Sequence, residues 1–199
     1  MKLGIFGGTF DPPHLGHLIL AAAAQEQLGL NQVLWVLTPF PPHKKNLSIS
    51  PLNDRLSMVL LAISGNRYFK LSSVDIDRQP PHYAVDTVNI LRQEHNQDMF
   101  YYLMGADSLN DLPTWHAPVR FVEACDGLGI IRRTGDPVDT SNLETQIPGL
   151  STKLHFLDTP VIEISGSDIR LRVMARRQFR YLVPEKVYRY ILNYKLYQG

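Results

Sequence analysis

Two spacings of apolar residues alternate along this chain. Stretches of strand length rich in apolar residues occur at Leu3–Phe6, Val33–Leu37, Met99–Met104 and Leu128–Ile131, and the more mixed Phe69–Val74 and Leu154–Leu157 also read as strands. Between them lie stretches with helical spacing. Leu18–Ala24 is the first, and the second starts near Asn53 with Leu56, Val59, Leu60 and Ile63 in register. Ala84–Glu94 carries Val85, Val88 and Leu91 at three-residue intervals, and Val119–Ala124 is a shorter example. Ser167–Arg176 follows near the end, then Glu185–Tyr194 behind Pro184 at a first helical turn. Phe40–Asn46 contains two prolines and reads as a loop, while the polar stretch Arg133–Leu150 reads as a surface excursion. Alternating strands and helices predict an α/β fold on a parallel sheet. The aromatic segment from Val187 to Tyr197 is expected to pack back onto the domain.

Composition narrows the function classes. The 199 residues carry 20 Lys plus Arg against 19 Asp plus Glu, a net charge of +1. That balance gives no support to a general nucleic-acid or membrane-surface role. No apolar run approaches the ~20 residues a membrane span needs, and the first residues lack a signal-peptide pattern. Cys125 is the single cysteine, so neither an internal disulfide nor a cysteine zinc cage can form. A cytoplasmic protein is the expected reading.

Chemistry concentrates in two segments. Gly7-Gly8-Thr9-Phe10, then His14-Leu15-Gly16-His17, stand between the first strand and the first helix. Glycines let backbone N–H groups approach an anion, the helix end adds partial positive charge, and the two imidazoles add donors. Taken singly, the glycines could be a plain turn and the histidines helix-capping residues. Two histidines are too few for a metal site. Ile164-Ser165-Gly166-Ser167-Asp168-Ile169-Arg170 offers hydroxyls, free N–H groups at a helix start and a guanidinium one turn in. Alone, this is an ordinary N-cap with a solvated arginine. In a parallel sheet, however, Gly7, Pro39, Gly105 and Ile164-Ser165 all fall just past strand ends or at helix starts, and so converge on one rim.

Together these segments resemble the signatures of the nucleotidylyltransferase superfamily, an H-x-G-H turn near the start and an I-S-x-[ST]-x-[IV]-R turn near the end. Gly7–His17 as a whole resembles the opening of the bacterial nicotinate-nucleotide adenylyltransferases. So do Pro41-Pro42-His43-Lys44, Tyr83-Ala84-Val85-Asp86-Thr87, Gly105-Ala106-Asp107-Ser108 and Leu112-Pro113-Thr114-Trp115-His116. The resemblance runs from residue 1 to about 175. Gly166 departs from it, because the family often has a second serine there.

The resemblance implies a Rossmann-like, doubly wound parallel sheet with helices on both faces. It implies one nucleotidylyltransferase domain over 1–199, with 165–199 as its C-terminal helical portion. The implied reaction is attack by the 5′-phosphate of nicotinate mononucleotide on the α-phosphorus of ATP, giving nicotinate adenine dinucleotide and pyrophosphate in NAD biosynthesis. Mg²⁺ would travel with the ATP phosphates. The nucleophile is already anionic, so neither a general base nor a covalent intermediate is required, and His14, His17 and Arg170 become the catalytic candidates. Gly7, Gly8, Thr9, Phe10, Gly16, Gly105, Asp107, Ile164, Ser165 and Ser167 are expected at ATP, with Asp107 on the nucleotide sugar. An alternative role for Asp107 is capping a short helix from Ser108 to Leu112. Lys44, Tyr83, Ala84, Thr87 and Trp115 are expected at nicotinate mononucleotide, with the Trp115 ring on the pyridine. Lys44 could equally be a solvated loop charge, and Trp115 a core residue. His82, His95, His116 and His155 are expected to be surface or packing residues. No protein-held metal is expected, and a homo-oligomer is compatible with the sequence. Phosphopantetheine adenylyltransferases, the nearest rivals, are usually shorter and lack the Gly-Gly-Thr-Phe and Pro-Thr-Trp elements. A turnover-free nucleotide sensor would not need His14, His17 and Arg170 intact. A class I aminoacyl-tRNA synthetase relative would be longer and carry a lysine-rich second signature.

Overall fold

A computed structural model describes residues 1–40, 49–131, 138–160 and 163–198. Six strands form one sheet: β1 (Lys2–Gly8), β2 (Gln32–Leu37), β3 (Phe69–Ser72), β4 (Met99–Gly105), β5 (Gly127–Ile131) and β6 (Leu154–Leu157). Their order is β3-β2-β1-β4-β5-β6, and every pairing is parallel. This is the doubly wound order, in which the chain reverses direction across the sheet between β1 and β4.

The apolar runs of β1, β2 and β4 are near-continuous because both sheet faces are covered there. Successive side chains point to opposite faces, and the two hydrophobic clusters divide accordingly. Leu34 and Val36 of β2 join one cluster while Val33, Trp35 and Leu37 join the other. On β4, Phe100, Tyr102 and Met104 face the first cluster, and Tyr101 and Leu103 the second. Helices α1 (Leu15–Gln27) and α2 (Leu52–Ile63) cover the second cluster through Ala21, Ala24, Val59 and Ile63. Four helices cover the first: α3 (Ala84–Glu94), α4 (Ala106–Asn110), α5 (Pro118–Ala124) and α6 (Thr140–Gln146). A third cluster joins Met58 on the back of α2 to α7 (Gly166–Met174) and α8 (Glu185–Asn193) through Ile169, Val173, Val187 and Ile191.

Several expectations change. The described part of the polar stretch is no bare excursion: Asp139 accepts a hydrogen bond from the Asn142 N–H at 3.0 Å and caps α6. Leu143, Ile147 and Leu150 from this part are buried in the first cluster. Residues 132–137 lie outside the described residues. On α2 the buried residues are Arg55, Met58, Val59 and Ile63, with Met58 turned to the third cluster, and Leu60 faces solvent. The short helix after β4 starts at Ala106 with Gly105 as its N-cap, so Asp107 sits in the first turn and does not cap a helix from Ser108. The C-terminal aromatic segment packs as expected, except that Tyr194 is exposed.

Candidate active site

A cavity of about 530 Å³ opens where the carboxyl ends of β1 and β4 part, within the size range of small-ligand sites. Its floor is Gly7-Gly8-Thr9 from the end of β1 and Gly105 from the end of β4. One wall is the start of α1 with His14, Gly16 and His17, and another is the start of α7 with Ile164, Ser165, Ser167 and Arg170. Tyr83, Ala84, Asp107 and Trp115 also line it. Sixteen of the eighteen residues proposed from sequence therefore line one space.

His14 is the N-cap of α1 and is buried. Its backbone N–H donates to His17 Nδ1 at 3.1 Å. Because Nδ1 of His17 accepts, a neutral His17 carries its proton on Nε2, which is then a donor. The two imidazoles stack with centroids 3.6 Å apart. Gly16 makes this possible: a Cβ there would lie 3.1 Å from His14 Nδ1. Behind His17, the Phe10 ring approaches edge-on at 5.1 Å and itself packs on Phe6 and Trp35. Phe10 has φ 48°, a left-handed backbone unusual for a bulky residue, held by a ring that is 2% exposed. Its side chain is thus core, while its backbone shapes the turn.

At the α7 wall, Ser165 caps the helix by accepting from the Asp168 N–H at 3.1 Å. Arg170 Nη1 donates to the Asp11 carbonyl at 2.7 Å, and Nη2 donates to Ser167 Oγ at 3.2 Å. The glycine turn after β1 and the C-terminal signature, 159 residues apart in sequence, are therefore in direct contact. Gly166 explains its own departure from the family pattern. A Cβ there would press to 2.9 Å on the Asp11 carbonyl, so this chain has no room for a serine without moving the turn.

Trp115 is both lining and core. Half-buried, it meets Phe121 at 5.4 Å and Tyr102 at 6.1 Å. Thr87 does not line the cavity. Its hydroxyl lies behind the wall, donating to Asp75 at 2.7 Å and accepting from Arg78 at 3.1 Å. Arg78 also holds the Tyr83 carbonyl at 3.2 Å, so Thr87 belongs to the bracket that fixes the start of α3. Lys44 and His43 lie outside the described residues.

Sequence reasoning missed four contributors. His82 and His116, expected to be bland, line the cavity. His116 stacks on Tyr83 at 4.0 Å. His82 is 5% exposed, and neither ring nitrogen has a hydrogen-bond partner among the described residues. Burial holds its imidazole below the ordinary pKa, with Asp75 opposing and Arg78 adding to the effect. Asp11, beside the signature, bridges it to Arg170. Arg55 is 2% exposed and donates to the carbonyls of Ser50, Thr9, Thr38 and Pro39 at 2.9–3.1 Å. Burial lowers its pKa, and the negative field of Asp11 opposes that. The available signal for Arg55 was a charge on the inward stripe of a helix. The remaining histidines behave as expected: His95 lies 3.7 Å from Asp98 and His155 sits against Tyr101.

A family profile described as cytidylyltransferase-like matches residues 5–172. A Thermomicrobium roseum protein named "Probable nicotinate-nucleotide adenylyltransferase" is 44% identical over 197 residues, covering 99% of this chain and 92% of its own. A Dehalococcoides mccartyi protein of the same name is 38% identical over 198 residues, covering 99% and 97%. Among solved structures, a Plasmodium falciparum nicotinic acid mononucleotide adenylyltransferase complexed with NaAD superposes with a TM-score of 0.80. It is 20% identical and covers 98% of this chain and 97% of its own. At that identity the likeness establishes the shared fold.

Proposed function

The chain belongs to the cytidylyltransferase-like family and, within it, to the nicotinate-nucleotide adenylyltransferases; from that premise we propose how its cavity carries out adenylyl transfer. The enzyme joins ATP to nicotinate mononucleotide, forming nicotinate adenine dinucleotide for NAD biosynthesis. An oxygen of the mononucleotide 5′-phosphate forms a bond to the α-phosphorus of ATP. The bond from that phosphorus to the β-phosphate bridging oxygen breaks, and its electron pair leaves with pyrophosphate. No proton needs to be removed from the nucleophile, so catalysis reduces to in-line placement and stabilisation of spreading charge.

The observation that carries this reading is that the two histidines at the start of α1 and Arg170 of α7 line one cavity, with Arg170 bonded to the Asp11 carbonyl of the turn before α1. His17 Nε2–H and His14 face the α-phosphate, and Arg170 takes the departing phosphates. Gly7, Gly8, Thr9, Phe10 and Gly16 shape the turn under the triphosphate, Ile164, Ser165 and Ser167 form its second cradle, and Gly105 with Asp107 receives the sugar. Tyr83 and Ala84 bound the pyridine pocket, Trp115 stacks on the ring, and Thr87 holds that pocket from behind. Lys44 is assigned to the mononucleotide phosphate from sequence alone. Among the described residues no group of three or more His, Cys, Asp or Glu could hold a metal ion. Mg²⁺ is assigned to the phosphate oxygens of ATP and to water. Such an ion supplies neutralisation of phosphate charge. Residues 1–199 act as one nucleotidylyltransferase domain with 165–199 as its helical C-terminal portion. No helix among the described residues is long and apolar enough to cross a membrane, and a cytoplasmic enzyme is proposed.

The test supplies ATP with either pyridine mononucleotide and measures dinucleotide and pyrophosphate. At least about tenfold preference for the acid is expected, a difference of only about 1.4 kcal/mol. Product from neither acceptor overturns the reading. His17→Ala is expected to lower kcat by about 10²-fold or more with the fold intact, as loss of a transition-state donor should.

A further inference from the structure

A polar cluster lies behind the phosphate turn, where that turn meets α2, α7 and the end of the chain. At its centre is Asp11, 7% exposed. One carboxylate oxygen accepts from the Tyr197 hydroxyl at 2.6 Å, and the other accepts from the Ser50 N–H at 3.1 Å. The peptide carbonyl of the same residue accepts from Arg170 at 2.7 Å. Arg55 borders the cluster and grips the Thr9, Thr38, Pro39 and Ser50 carbonyls. A buried carboxylate is costly unless its lone pairs are used, and here the residue that uses one of them comes from the far end of the chain.

The path of the chain to that point is unusual. Lys195 has φ 53° and Tyr197 has φ 62°, and neither is glycine. A left-handed backbone is disfavoured for any residue with a Cβ, so such a pair persists only where the surroundings hold it. The Leu196 N–H donates to the Ile191 carbonyl at 3.0 Å, and Leu196 and Tyr197 pack on the third cluster. The tail is thus bent so that a phenol reaches Asp11. Burial, with the Asp11 field and hydrogen bond, raises the phenol's pKa, which keeps it a donor.

We propose that Tyr197 is a positioning residue for adenylyl transfer: its hydroxyl fixes Asp11, and the Asp11 carbonyl fixes the direction in which Arg170 presents its guanidinium to the triphosphate. This inference rests on the reading of the cavity as an ATP site. It makes the turn that follows α8 part of the positioning geometry, although that turn touches no substrate. The geometry also explains why Gly166 is needed, since Arg170 and the Asp11 carbonyl must approach closely.

Tyr197→Phe removes the hydroxyl and keeps the ring on its cluster. The expected result is a rise in KM for ATP of about 3–10-fold, the range set by one lost hydrogen bond, with KM for nicotinate mononucleotide unchanged. In an Arg170→Ala background the same substitution is expected to add nothing, because the two residues act in one chain of contacts. Asp11→Asn is expected to reproduce the ATP-specific rise. Wild-type KM for ATP in Tyr197→Phe overturns the proposal. So does an equal rise for both substrates, or an equal rise with and without Arg170, since a general loosening of the fold would give either. All kinetics are measured below the melting transition of the least stable variant. If the wild-type chain forms no dinucleotide, the functional reading falls by itself. Titration with a non-hydrolysable ATP analogue then tests the latch, and equal affinities of wild type and Tyr197→Phe overturn it.

Discussion

At the scale of single residues, the site contains an imidazole, that of His82, whose burial is not matched by hydrogen-bond partners among the described residues. Both its ring nitrogens lack partners among the described residues, while its ring stacks on Phe40 with centroids 6.1 Å apart. A neutral imidazole tolerates this better than an imidazolium. The folded protein therefore binds a proton at His82 less readily than the unfolded chain, whose histidine titrates near 6.5. As pH falls through that value, the unfolded state gains a proton that the folded state resists, and stability falls with it. His82→Phe keeps the stack and removes the titration. Its melting temperature is expected to drop less than that of the wild type between pH about 7.5 and about 5.5. Equal drops would show that the imidazole is already paired or already charged. Cys125 illustrates the opposite case: burial pushes its thiol up to about 12, which leaves it unreactive in the folded chain.

At the scale of elements, legibility followed burial on both faces. β1, β2 and β4 are unbroken apolar runs because each packs a cluster on either side, and such runs announce themselves without any tertiary knowledge. The two signature turns were equally legible, since glycine and capping residues act locally. α6 was not. It has a single buried residue, Leu143, within seven, and the helpers Ile147 and Leu150 lie beyond its end. A helix this short takes its stability from tertiary contacts that sequence alone does not display. Arg55 was hidden for a related reason. Its position is an inward one on α2 by spacing, but the carbonyls it serves belong to Thr9, Thr38, Pro39 and Ser50, which only the folded sheet brings together. The Thr87 hydroxyl turned out to serve Asp75 instead of the pocket, because side-chain direction on α3 is settled by the neighbouring turn. The α6 correction has a direct test. Leu143→Ala is expected to cost about 2–5 kcal/mol in urea unfolding, whereas a residue on a surface excursion would cost within about 0.5 kcal/mol. A change that small would return the stretch to the surface.

At the scale of the whole molecule, the cavity draws its walls from residue 6 to residue 170, and the latch extends its dependence to residue 197. Both halves of the doubly wound sheet contribute, β1 and its following turn on one side and β4 with its following turn on the other. The third cluster couples α7 and α8 to α2, so the wall that carries Arg170 is packed on the same helix that carries Arg55. A ligand filling this space touches segments that otherwise meet only through the core. It stabilises the folded state by mass action, by about 2.7 kcal/mol at a hundred times its dissociation constant. For a chain of this size that corresponds to a rise of about 5–10 °C in melting temperature. Saturating nicotinate adenine dinucleotide is expected to produce one such shift in a single calorimetric transition. A scan that splits in two, with only the earlier part of the chain stabilised, would mean that residues 165–199 unfold on their own. Arg170 would then sit on a separately melting element, and the proposed grip on the triphosphate could not be built into the folded domain.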